Sequence, residues 1–141
     1  MPLDQQLARK CFNSFFQNHR VGRALECIKR VALCSPFGGG RNRYITAIAG
    51  SYYEPVVSDR TRRAFEAMLK EHGVEKLTKH DPINCAEAHL WLELVNQSKF
   101  PQHLDVFVAK KQIGKPRAKP DSPCPNCQQW ARKEFRSLNP L

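Results

Sequence analysis

The sequence lacks several features that would assign it to a common class of protein. No stretch approaches the roughly 18–20 consecutive apolar residues that a membrane-spanning helix needs, so the sequence does not predict a membrane protein. The first six residues are largely polar and do not resemble a secretory signal peptide. We therefore expect a cytoplasmic chain, or a domain delivered into the cytoplasm of a target cell as part of a larger secreted protein.

Acidic residues are also scarce. The chain has 13 Asp and Glu residues against 23 Lys and Arg residues, which gives a formal net charge of +10. Such an excess of positive charge is typical of proteins that bind polyanions, because it raises the local concentration of phosphate chains and speeds their encounter. The alternative is a solvated basic surface with no partner. The charge favours nucleic acid.

Length and composition indicate one globular domain over residues 1–141. The hydrophobic fraction of 41% suits a soluble domain, and 141 residues suffice for one core. The six cysteines, in a chain without a signal peptide, point to metal binding or free thiols rather than to disulfides. Cys11, Cys27 and Cys34 stand among apolar residues and are predicted to be small core residues. The other three cysteines belong to two motifs.

Hydrophobic periodicity predicts a mixture of helices and strands. Helices are expected at 3–18, from Ser58 or Asp59 to near Gly73, from Cys85 to about Asn96, and from the second motif through Cys127, Ala131, Phe135 and Leu138. Strands are expected at 31–34, 43–50 and 104–109. The glycine-rich stretch at 38–40 favours a hairpin turn between the first two strands. A phosphate-binding loop is the weaker alternative, since no Gly-Lys-Ser/Thr follows.

Two short motifs supply the residues of a catalytic zinc site. The first is Cys85-Ala86-Glu87, and the second is Pro-Cys-Pro-Asn-Cys at 123–127. Catalytic zinc takes three protein ligands and leaves a fourth position open for water. Cys85, Cys124 and Cys127 would be those ligands, each at a helix start that favours the thiolate. Glu87 would exchange protons with a zinc-bound water whose pKa falls to about 7.

Other interpretations of the motifs remain open. A lone Cys-x-x-Cys is common, and a structural zinc site would need a fourth ligand. His80 and His89 are the candidates, since His89 lies one helical turn after Cys85. Trp91 and Trp130 fall on apolar helix faces and are expected in the core.

The combination of motifs resembles the signature of the zinc-dependent cytidine deaminase superfamily in its three-cysteine variant. The order of the predicted elements is similar over nearly the whole chain. The resemblance implies a three-layer α/β/α fold with a small mixed sheet of about three or four strands. It implies hydrolysis of an exocyclic amine of cytosine or adenine, with Cys85, Cys124 and Cys127 as zinc ligands, Glu87 as proton shuttle and Ala86 lining the pocket.

Two departures from the superfamily pattern affect the expected substrate and sheet. Where free-nucleoside deaminases carry Asn-x-Glu to grip the ribose, this chain has Gly50-Ser51-Tyr52-Tyr53-Glu54. The superfamily also continues with at least one further strand after the last motif, so the sheet is expected to be small or completed by a partner. The compact Cys-Ala-Glu-x-His-Leu pattern is most similar to deaminase domains of bacterial polymorphic toxins, which implies an immunity protein as a possible partner.

The predicted substrate is single-stranded DNA or RNA, with cytosine-to-uracil conversion as the first expectation. Tyr52 and Tyr53 are candidates for stacking on bases, although core packing is an equal alternative. The candidate phosphate contacts are Arg41, Arg43, Arg60, Arg62, Arg63, Lys110, Lys111, Lys115, Arg117 and Lys119. One alternative is a deaminase of a free nucleoside or small aminated base. Another is a non-catalytic zinc-stabilised module that binds nucleic acid.

Overall fold

The architecture is a mixed α/β arrangement in which helices pack on one five-stranded sheet. A computed structural model describes residues 31–35, 45–48, 54–79, 81–111, 118–120 and 125–140. The predicted helix at 3–18 lies outside these residues. The strands are β1 (Val31–Ser35), β2 (Ile45–Ile48), β3 (Asp105–Lys111), β4 (Ala118–Pro120) and β5 (Ser137–Pro140). The helices are α1 (Asp59–Glu71), α2 (Ala86–Asn96), α3 (Pro125–Gln128) and α4 (Ala131–Glu134).

The first two strands form the predicted hairpin. β1 pairs antiparallel with β2, and Val31 faces Ile48 in the register. On its other side β1 pairs antiparallel with β3, which places the third predicted strand in the centre of the sheet. The prediction of these three strands is therefore confirmed, with small differences at their ends.

One edge of β3 is shared by two short strands. β5 pairs parallel with the β3 residues Asp105 to Val108. β4 pairs antiparallel with the next β3 residues, Ala109 to Lys111. Within the described residues the sheet thus contains five strands, where about three or four were expected. β5 ends at Pro140 beside Val108, and β4 ends at Pro120 beside Ala109. Proline has no N–H group for a ladder, which suits two strands that end where they meet.

The centre of the sheet is covered on both faces. Val106, Phe107 and Val108 are consecutive and all are buried. Because successive residues of a strand point to opposite faces, protein must pack on each side of β3 here. Val106 and Val108 belong to the main core cluster with α2, whereas Phe107 lies outside that cluster. This arrangement is what layered α/β folds require.

Helix α1 forms as its sequence predicts. The Ser58 hydroxyl accepts a hydrogen bond from the Thr61 N–H at 3.2 Å, which caps the first turn. Phe65 and Met68 form the buried stripe, and the helix ends before Gly73, whose φ is +61°. The apolar spacing, the cap and the terminal glycine therefore all gave the correct boundaries.

Helix α2 is more deeply buried than an amphipathic helix. Eight of its 11 residues are buried, because the sheet covers one side and α1 packs against another. A helix that is apolar nearly all round belongs in a core rather than at the surface. The predicted bounds of this helix are confirmed.

The predicted last helix is the main error. Instead of one helix through Leu138, the chain forms two single-turn helices, α3 and α4, and then β5. Phe135 turns extended with φ −92° and ψ 153°, and Leu138 is buried in a strand. An ion pair overrides the helical spacing: Arg136 donates to the buried Asp105 carboxylate through Nε at 2.7 Å and also through Nη2. This pair holds β5 in register with β3.

Candidate metal centre

The first half of the site is the N-terminus of α2. Cys85 is the N-cap residue with extended dihedrals, and its carbonyl accepts a hydrogen bond from the His89 N–H at 3.0 Å. A 3₁₀ turn, Pro82–Asn84, precedes it and fixes the direction in which the chain enters the helix. Ala86 and Glu87 occupy the first turn and are fully buried. The positive end of the helix macrodipole favours anionic groups at this position.

The second half of the site is α3, which carries the buried Cys127. The Trp130 N–H donates to the Cys127 carbonyl at 3.1 Å, which closes the turn that follows. Trp130 is itself fully buried and anchors this turn in the core.

An aromatic cluster joins the two halves. Phe65 of α1 lies between Trp91 of α2 and Trp130, with ring centroids 5.5 and 6.0 Å away, respectively. Phe135 extends the cluster at 6.1 Å from Trp130. Such contacts add roughly 0.5–1.5 kcal/mol each beyond the burial of area. The cluster therefore contributes to holding α2 and α3 at a fixed separation, and the two tryptophans lie in the core as predicted.

A polar contact strengthens the same junction. The Trp91 indole N–H donates to Glu134 Oε1 at 2.9 Å, and Glu134 Oε2 lies 2.9 Å from His72 Nε2. Glu134 thus links the end of α1, the middle of α2 and α4. The sequence prediction missed this residue, because a Glu on a short helix near a basic segment carries no signal of a buried partner.

The two halves bring three potential ligands together. Donor atoms of Cys85, Glu87 and Cys127 all lie within 4.8 Å of one another, and all three residues are buried. These residues are close enough to bind a metal ion. Two sulfur donors suit a borderline-soft ion such as zinc, whereas magnesium and calcium prefer oxygen ligands alone. The donor set therefore fits the expected cofactor in its chemistry.

His89 is not part of this cluster of ligands within the described part of the chain. It is buried one turn after Cys85, yet its ring nitrogens do not join the group formed by Cys85, Glu87 and Cys127. The closed site with His89 as fourth ligand is therefore not supported. His80, the other candidate, lies outside the described residues, as does Cys124.

The predicted substrate contacts are described only in part. Lys110 and Lys111 belong to β3 and Lys119 to β4, where the register places Lys110 opposite Lys119. These three lysines therefore lie on paired strands. Arg60, Arg62 and Arg63 lie exposed on α1, and Arg62 forms a 2.7 Å ion pair with Glu54. Outside the described residues are Arg41, Arg43, Tyr52, Tyr53, Lys115 and Arg117.

Within the residues that the structure covers, no helix combines the length and the apolar character needed to cross a membrane.

Comparisons with known proteins identify no relative: no family model, curated protein or solved structure matches this chain.

Proposed function

We propose that this chain is a zinc-dependent hydrolytic deaminase that acts on a base in single-stranded DNA or RNA, with cytosine as the first candidate. One observation carries the proposal. The Cys85-Ala86-Glu87 motif and Cys127 are far apart in the sequence, yet the donor atoms of Cys85, Glu87 and Cys127 lie within 4.8 Å of one another in a buried site. Of the motif residues, these are the three that a cytidine deaminase-like centre would bring together, with Cys124 as the remaining ligand.

Zinc is proposed because of the ligands present and because the proposed reaction needs an activated water. Zinc has no redox chemistry, and thiolates are among its preferred ligands. When bound with an open position, it supplies an activated water at neutral pH. Cys85 and Cys127 would hold the ion from two different helices, so its position would depend on how those helices pack.

Glu87 would move the proton. Its carboxylate lies beside the two thiols, and a fully buried carboxylate is tolerated where cations or hydrogen-bond donors surround it. In the proposed reaction a C–O bond forms at the aminated ring carbon and the C–N bond breaks. Glu87 accepts a proton from the attacking water and delivers it to the ring nitrogen, and the second proton of that oxygen then passes through Glu87 to the amine, which leaves as ammonia.

The polymeric substrate is proposed from charge. The net charge of +10 favours a polyanion, and two lysines, Lys110 and Lys119, occupy facing positions on adjacent strands. Arg60 and Arg63 on α1 add exposed positive charge. A free nucleoside would not need this surface, and the sequence lacks the motif that grips a ribose.

A second candidate function is a non-catalytic zinc module that binds nucleic acid. The favouring observation is that a Glu87 oxygen lies within 4.8 Å of both cysteine sulfur atoms. Glu87 would then be a ligand, which would help to close the site. The two candidates assign different roles to one carboxylate, and this difference makes them separable.

The decisive experiment compares Glu87→Gln and Glu87→Ala with the wild type. We measure zinc content and the conversion of cytosine and adenine in DNA and RNA oligonucleotides and in free nucleosides. The proposal predicts one zinc per chain in all three proteins, and activity on oligonucleotides that falls by about 100-fold or more in the variants. Lys133→Ala, at an exposed position of α4, is the matched control and should retain full activity.

Three outcomes would contradict the proposal. Zinc lost from both Glu87 variants would identify Glu87 as a ligand and support the structural module. Conversion of free nucleosides but not of oligonucleotides would identify an enzyme that acts on small molecules. A zinc-loaded wild type with no activity on any substrate would exclude the enzyme.

A further inference from the structure

An extended segment between α1 and Cys85 is held by the side chains of the second half-site. The segment covers residues 74–79 and leads, through the 3₁₀ turn, into Cys85. Glu75, Lys76 and Leu77 are exposed, so burial of their own side chains does little to hold the segment in place.

Gln129 binds both backbone groups of one residue of this segment. Its Oε1 accepts a hydrogen bond from the Glu75 N–H at 2.8 Å, and its Nε2 donates to the Glu75 carbonyl at 2.7 Å. A primary amide offers an acceptor and donors side by side. It can therefore take the place that a neighbouring strand would fill.

Asn126 binds the next position on the same side. Its Oδ1 accepts from the Leu77 N–H at 2.7 Å, and its Nδ2 donates to the Thr78 hydroxyl at 3.0 Å. Asn126 is fully buried and stands immediately before Cys127. Its hydrogen bonds therefore act inside the protein, where the loss of one leaves a buried polar group unsatisfied.

The two side-chain amides act together on the same segment. Glu75 and Leu77 are two residues apart, so their backbone groups face the same side of an extended segment. Asn126 and Gln129 are three apart, so they share one face of the helical turn that carries Cys127. Four hydrogen bonds thus tie the segment that enters Cys85 directly to the turn that holds Cys127.

We propose that Asn126 and Gln129 are positioning residues of the metal centre. They fix the entry to Cys85 relative to Cys127 and so set the separation of the two thiolates, without binding the metal. This inference rests on the metal centre of the proposed function, but it does not depend on the reaction or on the substrate. This role could not be predicted from the sequence, since the two amides resemble spacer residues in and after the Cys-x-x-Cys motif.

The test measures metal binding rather than catalysis. Wild type, Asn126→Ala, Gln129→Ala and Thr78→Val are titrated with zinc in competition with a chromophoric chelator. The same proteins are loaded with cobalt(II), whose visible spectrum reports ligand geometry. Lys133→Ala is the control, because it lies on the next short helix, is exposed and makes none of these hydrogen bonds. Hydrogen exchange at Glu75 and Leu77 reports whether the tether is lost.

We expect zinc affinity to fall about tenfold in Asn126→Ala and Gln129→Ala, within the range measured for residues that support metal ligands. The cobalt bands should shift in both variants and stay unchanged in Lys133→Ala. Thr78→Val, which removes one of Asn126's partners, should have a smaller effect than Asn126→Ala. The double variant should lose less than the sum of the two, because both amides hold the same short segment.

Wild-type affinity and unchanged cobalt spectra in folded variants that have lost exchange protection at Glu75 and Leu77 would overturn the proposal and leave a merely structural tether. If Asn126→Ala does not fold, Gln129→Ala and Thr78→Val decide the question by the same readouts. A wild type that takes up no metal would overturn both this inference and the proposed function. A wild type that binds zinc tightly without deaminating any substrate would exclude the enzyme and leave the positioning role to be judged by affinity.

Discussion

At the scale of single residues, two carboxylate–arginine pairs in the described part of the chain differ in burial. Asp105 is buried and receives two hydrogen bonds from Arg136 and one from the Ser137 hydroxyl at 2.7 Å. Glu54 and Arg62 form a 2.7 Å pair at the surface, where the Arg62 side chain is 46% exposed. Burial, rather than the distance between the charges, decides what each pair contributes.

Asp105→Ala is predicted to lower the free energy of unfolding by about 3–5 kcal/mol, because it leaves Arg136 and Ser137 without the acceptor that fixes β5. Glu54→Ala is the matched control and should cost about 1 kcal/mol or less. Urea denaturation of both variants measures the difference. Equal losses would show that Asp105 does not anchor the β3–β5 pair.

Phe65 is the residue that touches both tryptophans of the junction. Phe65→Ala is predicted to cost about 3–5 kcal/mol, because it opens a cavity between Trp91 and Trp130. Val56→Ala changes a side chain that is 98% exposed and should stay within about 0.5 kcal/mol of wild type. Thermal unfolding followed by tryptophan fluorescence checks both. A loss below about 1 kcal/mol in Phe65→Ala would mean that the junction repacks.

At the scale of elements, α1 and α2 end in the same way with different residues. In α1 the Val74 N–H donates to the Leu69 carbonyl at 2.9 Å, and in α2 the Lys99 N–H donates to the Leu94 carbonyl at 2.9 Å. Both patterns are Schellman motifs, which place one residue in the left-handed region. That residue is Gly73 with φ +61° in α1 and Ser98 with φ +58° in α2.

This comparison predicts two substitutions of opposite sign. Gly73→Ala should destabilise the protein by about 1 kcal/mol, purely through backbone strain, since an added Cβ at Gly73 meets no atom within 4 Å. Ser98→Gly should stabilise it by roughly 0.5 kcal/mol, because the relief of backbone strain exceeds the cost of the greater freedom of the unfolded chain. Denaturation midpoints of the two variants provide the measurement. A stabilising Gly73→Ala would contradict the assigned conformation.

The same elements show what the sequence could predict and why it failed elsewhere. Ser58, Gly73 and the apolar stripe of α1 act locally, so the bounds of α1 were predictable. Cys127, Ala131, Phe135 and Leu138 also follow a helical spacing, but there the outcome depends on Asp105, which is distant in sequence. β4 was missed because its composition, Ala118-Lys119-Pro120, gives no strand signal without β3 beside it.

The site also contains residues that could be predicted from the sequence and residues that could not. The motif types alone placed Cys85, Glu87 and Cys127 together, since metal ligands have recognisable spacings. Asn126, Gln129 and Glu134 were not found, because a hydrogen bond to a distant backbone or ring leaves no periodic pattern in the sequence. Sequence therefore predicts ligands more readily than the residues that position them.

At the scale of the whole molecule, metal binding should contribute to stability. A ligand that binds only the folded chain stabilises it by about 2.7 kcal/mol when its free concentration is 100 times Kd. Removal of zinc by a strong chelator is therefore predicted to lower the melting temperature by roughly 5–10 °C for a domain of this size. Differential scanning calorimetry with and without chelator measures the shift. Cys85→Ser should melt at the same temperature in both conditions, and a chelator effect on that variant would indicate a different site.

Net charge gives a second prediction for the molecule as a whole. If Lys110, Lys111 and Lys119 each contact one phosphate, together they should contribute a slope of about −2 when log affinity for a single-stranded oligonucleotide is plotted against log salt. Replacing all three by Gln should remove that part of the slope. Replacing the exposed Lys99 and Lys133 should change it little. Equal effects of the two sets would mean that attraction is spread over the whole surface.

The position of β3 has a kinetic consequence for the metal centre. This strand lies between the two half-sites in sequence and pairs with β1, β4 and β5. The pairings with β1 and β5 join distant parts of the chain, and such contacts form slowly in folding. A site that needs both halves can form only after most of the sheet has closed, so the metal should bind late. Zinc should then slow unfolding far more than it speeds refolding, so the bound ion would stabilise the folded state kinetically.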